Sequence, residues 1–483
     1  MINVLEHKSK ISTTLLEKIE AKDSLQQFLK MYLNNGKDAD TAEIESSLKF
    51  LSELLYCHFK KKVYVLIDDY DTPLDSIMRS KLENDLSRTN LLIHSMLGAV
   101  LKDNDVYLAQ GLMTGISVIA KNSSSSELNN VTVYRFLDDH IYGEYYGFHS
   151  NEISNLVNED ALDDVTRYYN GYLIINQNLH IYNPWSIMNY VQTGQIKNYW
   201  CQSGPIEHIK KLFQNIQIRE KFNLLMQENG ISFQFNNTPT IEDVQSLQQI
   251  FNCAVHVIPE SYINLFFSYI FEHGYLTPVK IAGQSPLTGM SNYKTPNQEI
   301  AQEFARNALS YYVDTYRFKQ EYVDSTIAKL QYIFDKFNNF ENSEYCYLSS
   351  EIEQLRSAIE TLCQNLEFTN ISTSKDGSHP NESLLHTIIG WIIIQSNAKK
   401  FSSEVPINSG MHSGKAVIVA SYKELGIIIE LKYKKIAAEA LKQIQEKGYN
   451  NTVVQLPFTK NILDIGINLD ENKKVTIQHL YAI

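Results

Sequence analysis

A carboxylate and a lysine stand two residues apart near the C-terminus of this chain. The segment Gly426–Lys432 is a short apolar run that ends in Glu430, Leu431 and Lys432. Because side chains alternate between the two faces of a strand, Glu430 and Lys432 point to one face and Leu431 to the other. Metal-dependent phosphodiester cleavage needs such a pair: the carboxylate holds Mg²⁺, and the lysine steadies the attacking water or the developing charge on the phosphate.

A second group of polar residues follows an apolar run in the N-terminal part. Val63–Ile67 is typical of a strand covered on both faces in a parallel sheet. Asp68 and Asp69 come directly after it, and Thr114 follows the next predicted strand, Val106–Met113. Carboxylates at this edge of an α/β sheet can hold Mg²⁺ and activate water. Acidic residues also end strands simply because the chain leaves the core there, so both interpretations stay open.

The elements around these residues predict an α/β protein of several domains. With 483 residues the chain is too long for one ordinary core. Residues 1–60 and Leu82–Leu101 are predicted to be helical, and a polar stretch at 370–380 is typical of a linker. From Glu382 onward the predicted order is helix, strand, strand, helix, strand, strand. We expect domains at 1–205, a mostly helical connector at 206–345, a linker region at 346–380 and a last domain at 381–483.

Composition narrows the class of protein. Hydrophobic residues make up 43% and charged residues 20% of the chain, and the net charge is −12, which indicates a folded protein without a broad nucleic-acid-binding coat. The five cysteines are scattered, so a reduced compartment is expected and a zinc site is not. The N-terminus lacks a signal-peptide core, and the longest apolar stretch, Ile388–Ile394, is too short for a membrane span. We expect a cytoplasmic protein, and leave open its secretion as an effector without a cleaved signal.

A series of different short motifs lies along the first two thirds of the chain in a specific order. They are VYVLIDDYDTPL at 63–74, MTGIS at 113–117, SELNN at 126–130, YYGF at 145–148, YNGYLI at 169–174, YNPWSI at 182–187, NYW at 198–200, HGYLT at 273–277 and PNQEI at 296–300. In this order they resemble the bacterial AAA-ATPase-like family that carries a C-terminal PD-(D/E)XK nuclease domain. Among the aromatic residues of these motifs, Trp185 and Tyr199 are predicted to pack a helical lid onto the sheet. The NPW sequence at 183–185 predicts a turn followed by the start of a helix, since proline suits the first helical turn.

The resemblance implies a nucleotide site that this sequence does not complete. Asp68 would be the Mg²⁺-linked aspartate of the Walker B strand, Asp69 stands where the family more often has Glu, and Thr114 would be a sensor-like residue. The family's phosphate-binding loop lies upstream of this strand, but GxxxxGK[ST] does not occur and Gly36 is the only glycine in the first 68 residues. We therefore expect an AAA-like parallel sheet without the phosphate loop, no ATP hydrolysis, and apolar surface exposed on a trimmed sheet.

The C-terminal segment resembles the PD-(D/E)XK partner domain of the same family. The matching motifs are NESLLH at 381–386, HSGKAVIVA at 412–420, IIIELKY at 427–433, ALKQIQEKGY at 440–449, ILDIGI at 462–467 and KVTIQHL at 474–480. Carried over position by position, the catalytic residues would be Glu382, Glu430, Lys432, Gln443 and Tyr449. Glu430 and Glu382 would be the metal ligands.

One position departs from the pattern of the nuclease family. Where the family has Gly-Arg-x-Asp with the aspartate as a metal ligand, residues 414–417 read Gly-Lys-Ala-Val. Val417 offers no oxygen to a hard cation. Glu404 or Glu424 could replace the ligand from a nearby loop, but a slip in register could not, since no aspartate lies between Gly377 and Leu463. The substitution predicts lost cleavage and a degenerate nuclease domain.

These observations lead to one preferred function and two alternatives. The preferred hypothesis is a catalytically degenerate protein, with no tightly bound cofactor, that acts by binding protein or nucleic acid; the resemblance implies a mobile-element protein or a bacterial effector. One alternative is a Mg²⁺-dependent DNase that uses Glu382, Glu430 and Lys432, and the other is a decayed gene fragment. Several lysines near this site could grip a phosphate backbone or simply be solvated; they are Lys432, Lys434, Lys435, Lys442 and Lys447. The oligomeric state is not predicted.

Overall fold

The structure, a computed structural model, describes most of the chain. It covers residues 39–78, 85–116, 128–135, 141–175, 177–200, 209–225, 230–236, 238–252, 258–279, 290–339, 348–366, 380–402, 417–449 and 459–482. The helix predicted before residue 39, the SELNN motif up to residue 127, the polar linker up to residue 379, and positions 404 and 414–416 lie outside these ranges.

Helices dominate the described residues. In chain order they are α1 (Thr41–Phe59), α2 (Thr72–Met78), α3 (Asp85–Leu101), α4 (Ser150–Leu156), α5 (Leu162–Tyr169), α6 (Pro184–Thr193), α7 (Ile209–Leu212), α8 (Ile216–Leu225), α9 (Ile241–Phe251), α10 (Glu260–Glu272), α11 (Gln298–Tyr316), α12 (Gln320–Asn338), α13 (Leu348–Asn365), α14 (Pro380–Gln395) and α15 (Ala437–Lys447). Short 3₁₀ turns lie at Gly143–Tyr145 and Glu159–Ala161.

The strands form several small sheets, so the predicted mixed α/β class is confirmed. In chain order they are β1 (Val63–Ile67), β2 (Leu108–Met113), β3 (Tyr172–Ile174), β4 (Leu179–Ile181), β5 (Ile231–Gln234), β6 (Thr277–Pro278), β7 (Met290–Lys294), β8 (Lys399–Ser402), β9 (Val417–Tyr422), β10 (Leu425–Tyr433), β11 (Asn461–Leu469) and β12 (Val475–Ala482). None of the described helices combines the length and apolar character that a membrane span requires.

The chain divides into two compact units, Met1–Tyr134 with Asn236–His273 and Arg135–Phe235 with Gly274–Ile483. The first unit is built on β1 and β2, which pair in parallel as predicted. Helix α1 begins with a capping box in which Asp40 and Glu43 exchange hydrogen bonds with each other's backbone N–H. Helices α1 and α3 pack on each other and on this pair of strands.

The prediction that β1 is covered on both faces is wrong. Tyr64 is 71% and Leu66 is 74% exposed, and on the paired strand Leu112 is 60% exposed. Parallel pairing places Leu66 beside Leu112, so these side chains share one open face. The opposite face is partly covered: Val63, Val65 and Ile67 are half-buried there, and a Cβ added at Gly111 would lie 2.4 Å from Leu101 of α3. Among the described residues this sheet has two strands, and helices cover it from one side alone.

The second unit contains the C-terminal sheet, with strand order β12-β11-β10-β9-β8. Strands β10 and β11 are parallel, and the other pairs are antiparallel. Helix α15 packs closely on one face, because Gly466 has no side chain: a Cβ there would lie 2.5 Å from the Ala437 carbonyl oxygen. On the other face the Phe337 ring of α12 lies 5.1 Å from the Tyr481 ring. The element order from α14 onward agrees with the prediction, with β8 as an additional strand.

A buried glutamate joins three of the aromatic motifs in the second unit. Glu299, at the start of α11, accepts hydrogen bonds from the Ser186 hydroxyl at 2.7 Å and from the Trp200 backbone N–H at 2.6 Å. Ser186 belongs to YNPWSI, Trp200 to NYW and Glu299 to PNQEI. The neighbouring Asn297 caps α11 and also donates to the Asn170 carbonyl of YNGYLI at 3.0 Å. These motifs therefore help to hold the second unit together.

The predicted role of one aromatic residue is wrong. Trp185 is 57% exposed on α6, with its indole N–H 3.3 Å from the Tyr199 carbonyl oxygen, and so it does not pack into the interior. Tyr199 itself packs against a buried cluster around Tyr169. The NPW turn was predicted correctly: Asn183 caps α6 and Pro184 is its first residue.

Candidate functional site

The C-terminal sheet places two of the predicted nuclease residues, Glu430 and Lys432, on one face of β10. Glu430 on β10 lies opposite Val417 on β9 and opposite Gly466 on β11. Lys432 follows on the same face, and its Nζ lies 2.6 Å from Glu430 Oε1. Neither Val417 nor Gly466 has a polar side chain, so no second carboxylate lies directly beside Glu430 on either neighbouring strand.

Burial dominates the electrostatics of this carboxylate. Glu430 is fully buried and Lys432 is 12% exposed. Burial raises the pKa of Glu430 to about 7, although the positive charges of Lys432 and Lys447 oppose the rise. An ion pair that is as deeply buried as this one costs desolvation energy on both sides, and at Glu430 that cost exceeds the attraction of Lys432.

Helix α15 and the residues after it supply two further predicted groups. Gly448 ends the helix in the left-handed conformation, at φ 64°, and Tyr449 follows it. Tyr449 is buried beside Val417 and Ile428. Burial, followed by the nearby charge of Glu430, raises the pKa of Tyr449 to about 12, while the Gln443 amide opposes the rise. Tyr449 thus lies near the Glu430 carboxylate, and Gln443 lies beside the Tyr449 hydroxyl.

Glu382 reaches the same end of β10 from helix α14. Its Oε2 accepts a hydrogen bond from the Tyr433 backbone N–H at 3.0 Å. Its negative charge adds to the rise in the pKa of Glu430. Glu382 therefore lies close enough to act on Glu430, but in this structure it anchors α14 to the strand.

The residues present do not complete a Mg²⁺ site of the expected kind. Val417 carries no donor atom, and no three acidic, histidine or cysteine side chains of the described residues form a metal-binding group. Glu424, one of the two proposed replacements, lies at the turn before β10, where its Oε1 is 2.6 Å from Lys460 Nζ. The other, Glu404, is outside the described residues.

Asp464 is the acidic residue that the sequence interpretation missed. It is buried on β11, where it pairs with Ile428 in parallel register, so it shares a face with Glu430. The available signal was a charged residue within the apolar run ILDIGI. Asp464 lies two residues before Gly466 and therefore on the same face of β11, and Gly466 lies opposite Glu430. Compared with Gly466, Asp464 lies two residues further from the end of the sheet at which Lys432 and Glu382 are found.

The basic neighbourhood is largely neutralised within the protein. Besides the pair with Glu430, Lys434 Nζ lies 3.0 Å from Glu471 and Lys442 Nζ lies 3.1 Å from Glu446. Such exposed pairs contribute little stability, but they lower the positive charge that a phosphate backbone would meet. This arrangement favours the solvated-face interpretation of the lysines.

The first predicted site is also assembled in part. The Thr114 hydroxyl donates a hydrogen bond to Asp68 at the carboxyl ends of β1 and β2. The Thr114 N–H also donates to the Ile67 carbonyl at 2.9 Å. Asp69, by contrast, is exposed and has a left-handed backbone at φ 50°. Asp68 and Thr114 therefore meet at this edge, and Asp69 contributes its backbone N–H, which donates to Asp68 Oδ1 at 3.1 Å.

Comparison with known proteins supports the N-terminal assignment. A model of the family described as predicted AAA-ATPase matches residues 3–125. Over 149 residues the chain is 27% identical to a protein of Azotobacter chroococcum mcd 1 described as an uncharacterized protein in the vnfD 5′ region. That alignment spans 30% of this chain and 27% of the relative. No solved structure matches the chain. Residues 3–125 thus match an AAA-ATPase-like domain.

Proposed function

We propose that this chain is an AAA-ATPase-like protein with a degenerate PD-(D/E)XK nuclease-like domain, and that it acts by binding another protein rather than by cleaving nucleic acid. One observation carries the proposal: Glu430 is fully buried, its Oε1 lies 2.6 Å from Lys432 Nζ, and Val417 lies opposite it on β9. A carboxylate already neutralised by its own lysine, with a hydrocarbon in place of the second ligand, holds a divalent ion poorly.

The order of elements and the placement of side chains support the nuclease-like assignment of the second unit. The sequence order predicted from Glu382 agrees with α14, β9, β10, α15, β11 and β12. Glu382, Lys432, Gln443 and Tyr449 all lie near Glu430. This grouping also favours a second candidate, a Mg²⁺-dependent DNase that uses Glu382, Glu430 and Lys432.

The pairing of the lysines supports a protein rather than a nucleic acid as the partner. Three of the five lysines near the site have an acidic neighbour within 3.1 Å. The chain as a whole carries a net charge of −12. Nucleic-acid binding draws its affinity from unpaired cations that replace counterions, and this surface offers few. A protein partner fits the charge distribution better.

We expect the purified full-length chain to leave supercoiled plasmid intact in Mg²⁺ or Mn²⁺. The physical reason is the missing oxygen ligand at Val417, since loss of a group that holds the metal costs orders of magnitude in rate. Gel electrophoresis of the plasmid after prolonged incubation, with EDTA as the reference, measures this. The Lys432→Ala and Lys460→Ala variants are the matched pair, because Lys460 is an exposed lysine paired with Glu424 at the other end of β10. Cleavage that vanishes in Lys432→Ala and persists in Lys460→Ala would establish the DNase instead.

We also expect no salt-dependent binding of duplex DNA. Fluorescence anisotropy of a labelled duplex, titrated at low and at physiological salt, tests this directly. Affinity that falls steeply with salt and is lost in a Lys435→Ala/Lys447→Ala variant would overturn the preference for a protein partner. The claim that cleavage is lost would survive that outcome, because the two measurements are independent.

A further inference from the structure

The open face of the β1–β2 sheet is an apolar surface that nothing covers among the described residues of the first unit. Tyr64, Leu66 and Leu112 are all exposed, whereas α3 packs on the opposite face at Gly111. Register places Tyr64 beside Gln110 and Leu66 beside Leu112, so the exposed side chains form one continuous surface. Parallel strands are normally buried on both faces, and large apolar patches on a protein surface mark interaction sites.

Opposite charges mark the two ends of this face. Alternation along β1 places Lys62 before Tyr64 and Asp68 after Leu66 on the same side. Both residues are exposed. The Lys62 Nζ donates to the Asp105 carbonyl at 2.6 Å, and Asp68 accepts from Thr114, so neither charge is neutralised by these contacts. The face thus runs from a positive end through an apolar centre to a negative end.

We propose that this face is the contact between two copies of the chain, packed sheet on sheet with the strands running in opposite directions. A two-fold axis perpendicular to the strands lays each apolar centre on the other and brings Lys62 over Asp68 of the second copy. An axis parallel to the strands would set lysine against lysine and aspartate against aspartate. The charges therefore select one arrangement.

The net charge of the chain works against self-association. With a net charge of −12, two copies repel each other in most orientations. On this face the positive charge of Lys62 and the negative charge of Asp68 cancel, so charge repulsion does not oppose the apolar contact. The contact is small: a standard interface buries about 800 Å² on each partner. We therefore expect a reversible dimer with a dissociation constant on the order of micromolar.

Sedimentation equilibrium of the full chain tests the proposal. From about 1 to about 100 μM, the mass should rise from monomer toward dimer. Leu66→Asp should remain a monomer, whereas Leu156→Asp, the same change at an exposed leucine of α4, should dimerise like the parent. Circular dichroism on each variant confirms folding.

A charge exchange keeps the test valid even if Leu66→Asp misfolds. Lys62→Glu and Asp68→Lys should each weaken the dimer by about tenfold or more, because each creates like-charge contacts across the two-fold axis. The double variant Lys62→Glu/Asp68→Lys should regain the parental affinity. A parent that stays monomeric, a dimer that survives Leu66→Asp, or a double variant no better than the singles would each overturn the proposal. So would a monomer whose Leu66→Cys thiol is shielded from labelling, since another segment would then occupy the face.

Discussion

Replacing Gly171 by alanine is expected to destabilise the protein by about 4 kcal/mol, among the largest effects of any single substitution. Gly171 has a φ of +106°, and a Cβ there would lie 2.0 Å from the Pro296 carbonyl oxygen. The colliding atom belongs to the backbone and cannot rotate away. Relief would require α11 to move from β3, which would break the hydrogen bond from Asn297 to the Asn170 carbonyl. Glu299 follows Asn297 by two residues on α11, so the movement of this helix would also disturb the buried hydrogen bonds of Glu299.

Gly194 provides the matched control for this substitution. It too is left-handed, at φ +67°, but nothing lies within 4 Å of its Cβ position. Alanine there should cost about 1 kcal/mol, the strain of an L-residue in that conformation. Urea unfolding of both variants and the parent gives the comparison from the shift in midpoint at constant slope. Equal losses in the two variants would contradict the close approach of Gly171 to Pro296. A broad unfolding transition in the parent would favour the decayed-fragment hypothesis.

Local pattern was enough to predict the strands and turns that carry the site. Alternation in Gly426–Lys432 predicted that Glu430 and Lys432 share a face, and the structure places their charged atoms 2.6 Å apart. The cap of α6 at Asn183 followed from the NPW turn in the same way. These features depend on neighbours within a few residues, which the sequence displays directly.

Features set by distant parts of the chain could not be predicted in this way. A continuous apolar run such as Val63–Ile67 looks the same whether helices cover one face of the strand or both. The run by itself therefore predicted a covered Leu66, whereas the absence of the phosphate loop led us to expect exposed apolar surface on this sheet. Strand β5 was missed because its partner, β7, lies dozens of residues further on. Glu299 and Ser186 are 113 positions apart in the sequence and belong to different motifs. Their hydrogen bond could be found only from the folded structure.

Replacing Glu430 by glutamine is expected to stabilise the protein above pH 7 by about 2–3 kcal/mol. The pKa of Glu430 rises from 4.5 to about 7 on folding because its carboxylate is buried. The folded state therefore binds a proton more tightly than the unfolded state does. Stability attributable to this group is complete below pH 4.5, declines as the pH rises toward 7, and stays low above it. Glutamine resembles the protonated acid and removes this decline.

The measurement is the difference in unfolding free energy between the variant and the parent from pH 4 to pH 8. The difference should be near zero at pH 4.5 and grow until about pH 7. Glu424→Gln is the control, since it makes the same chemical change at an exposed carboxylate near the other end of β10. A flat difference curve for Glu430→Gln would contradict the raised pKa. Natural sequences keep a destabilising buried charge mainly where function once required it. A gain in stability, in a protein whose parent leaves plasmid intact, would mark Glu430 as the remnant of a metal centre. If instead the parent cleaves plasmid and Glu430→Gln loses that cleavage as it gains stability, the centre still works.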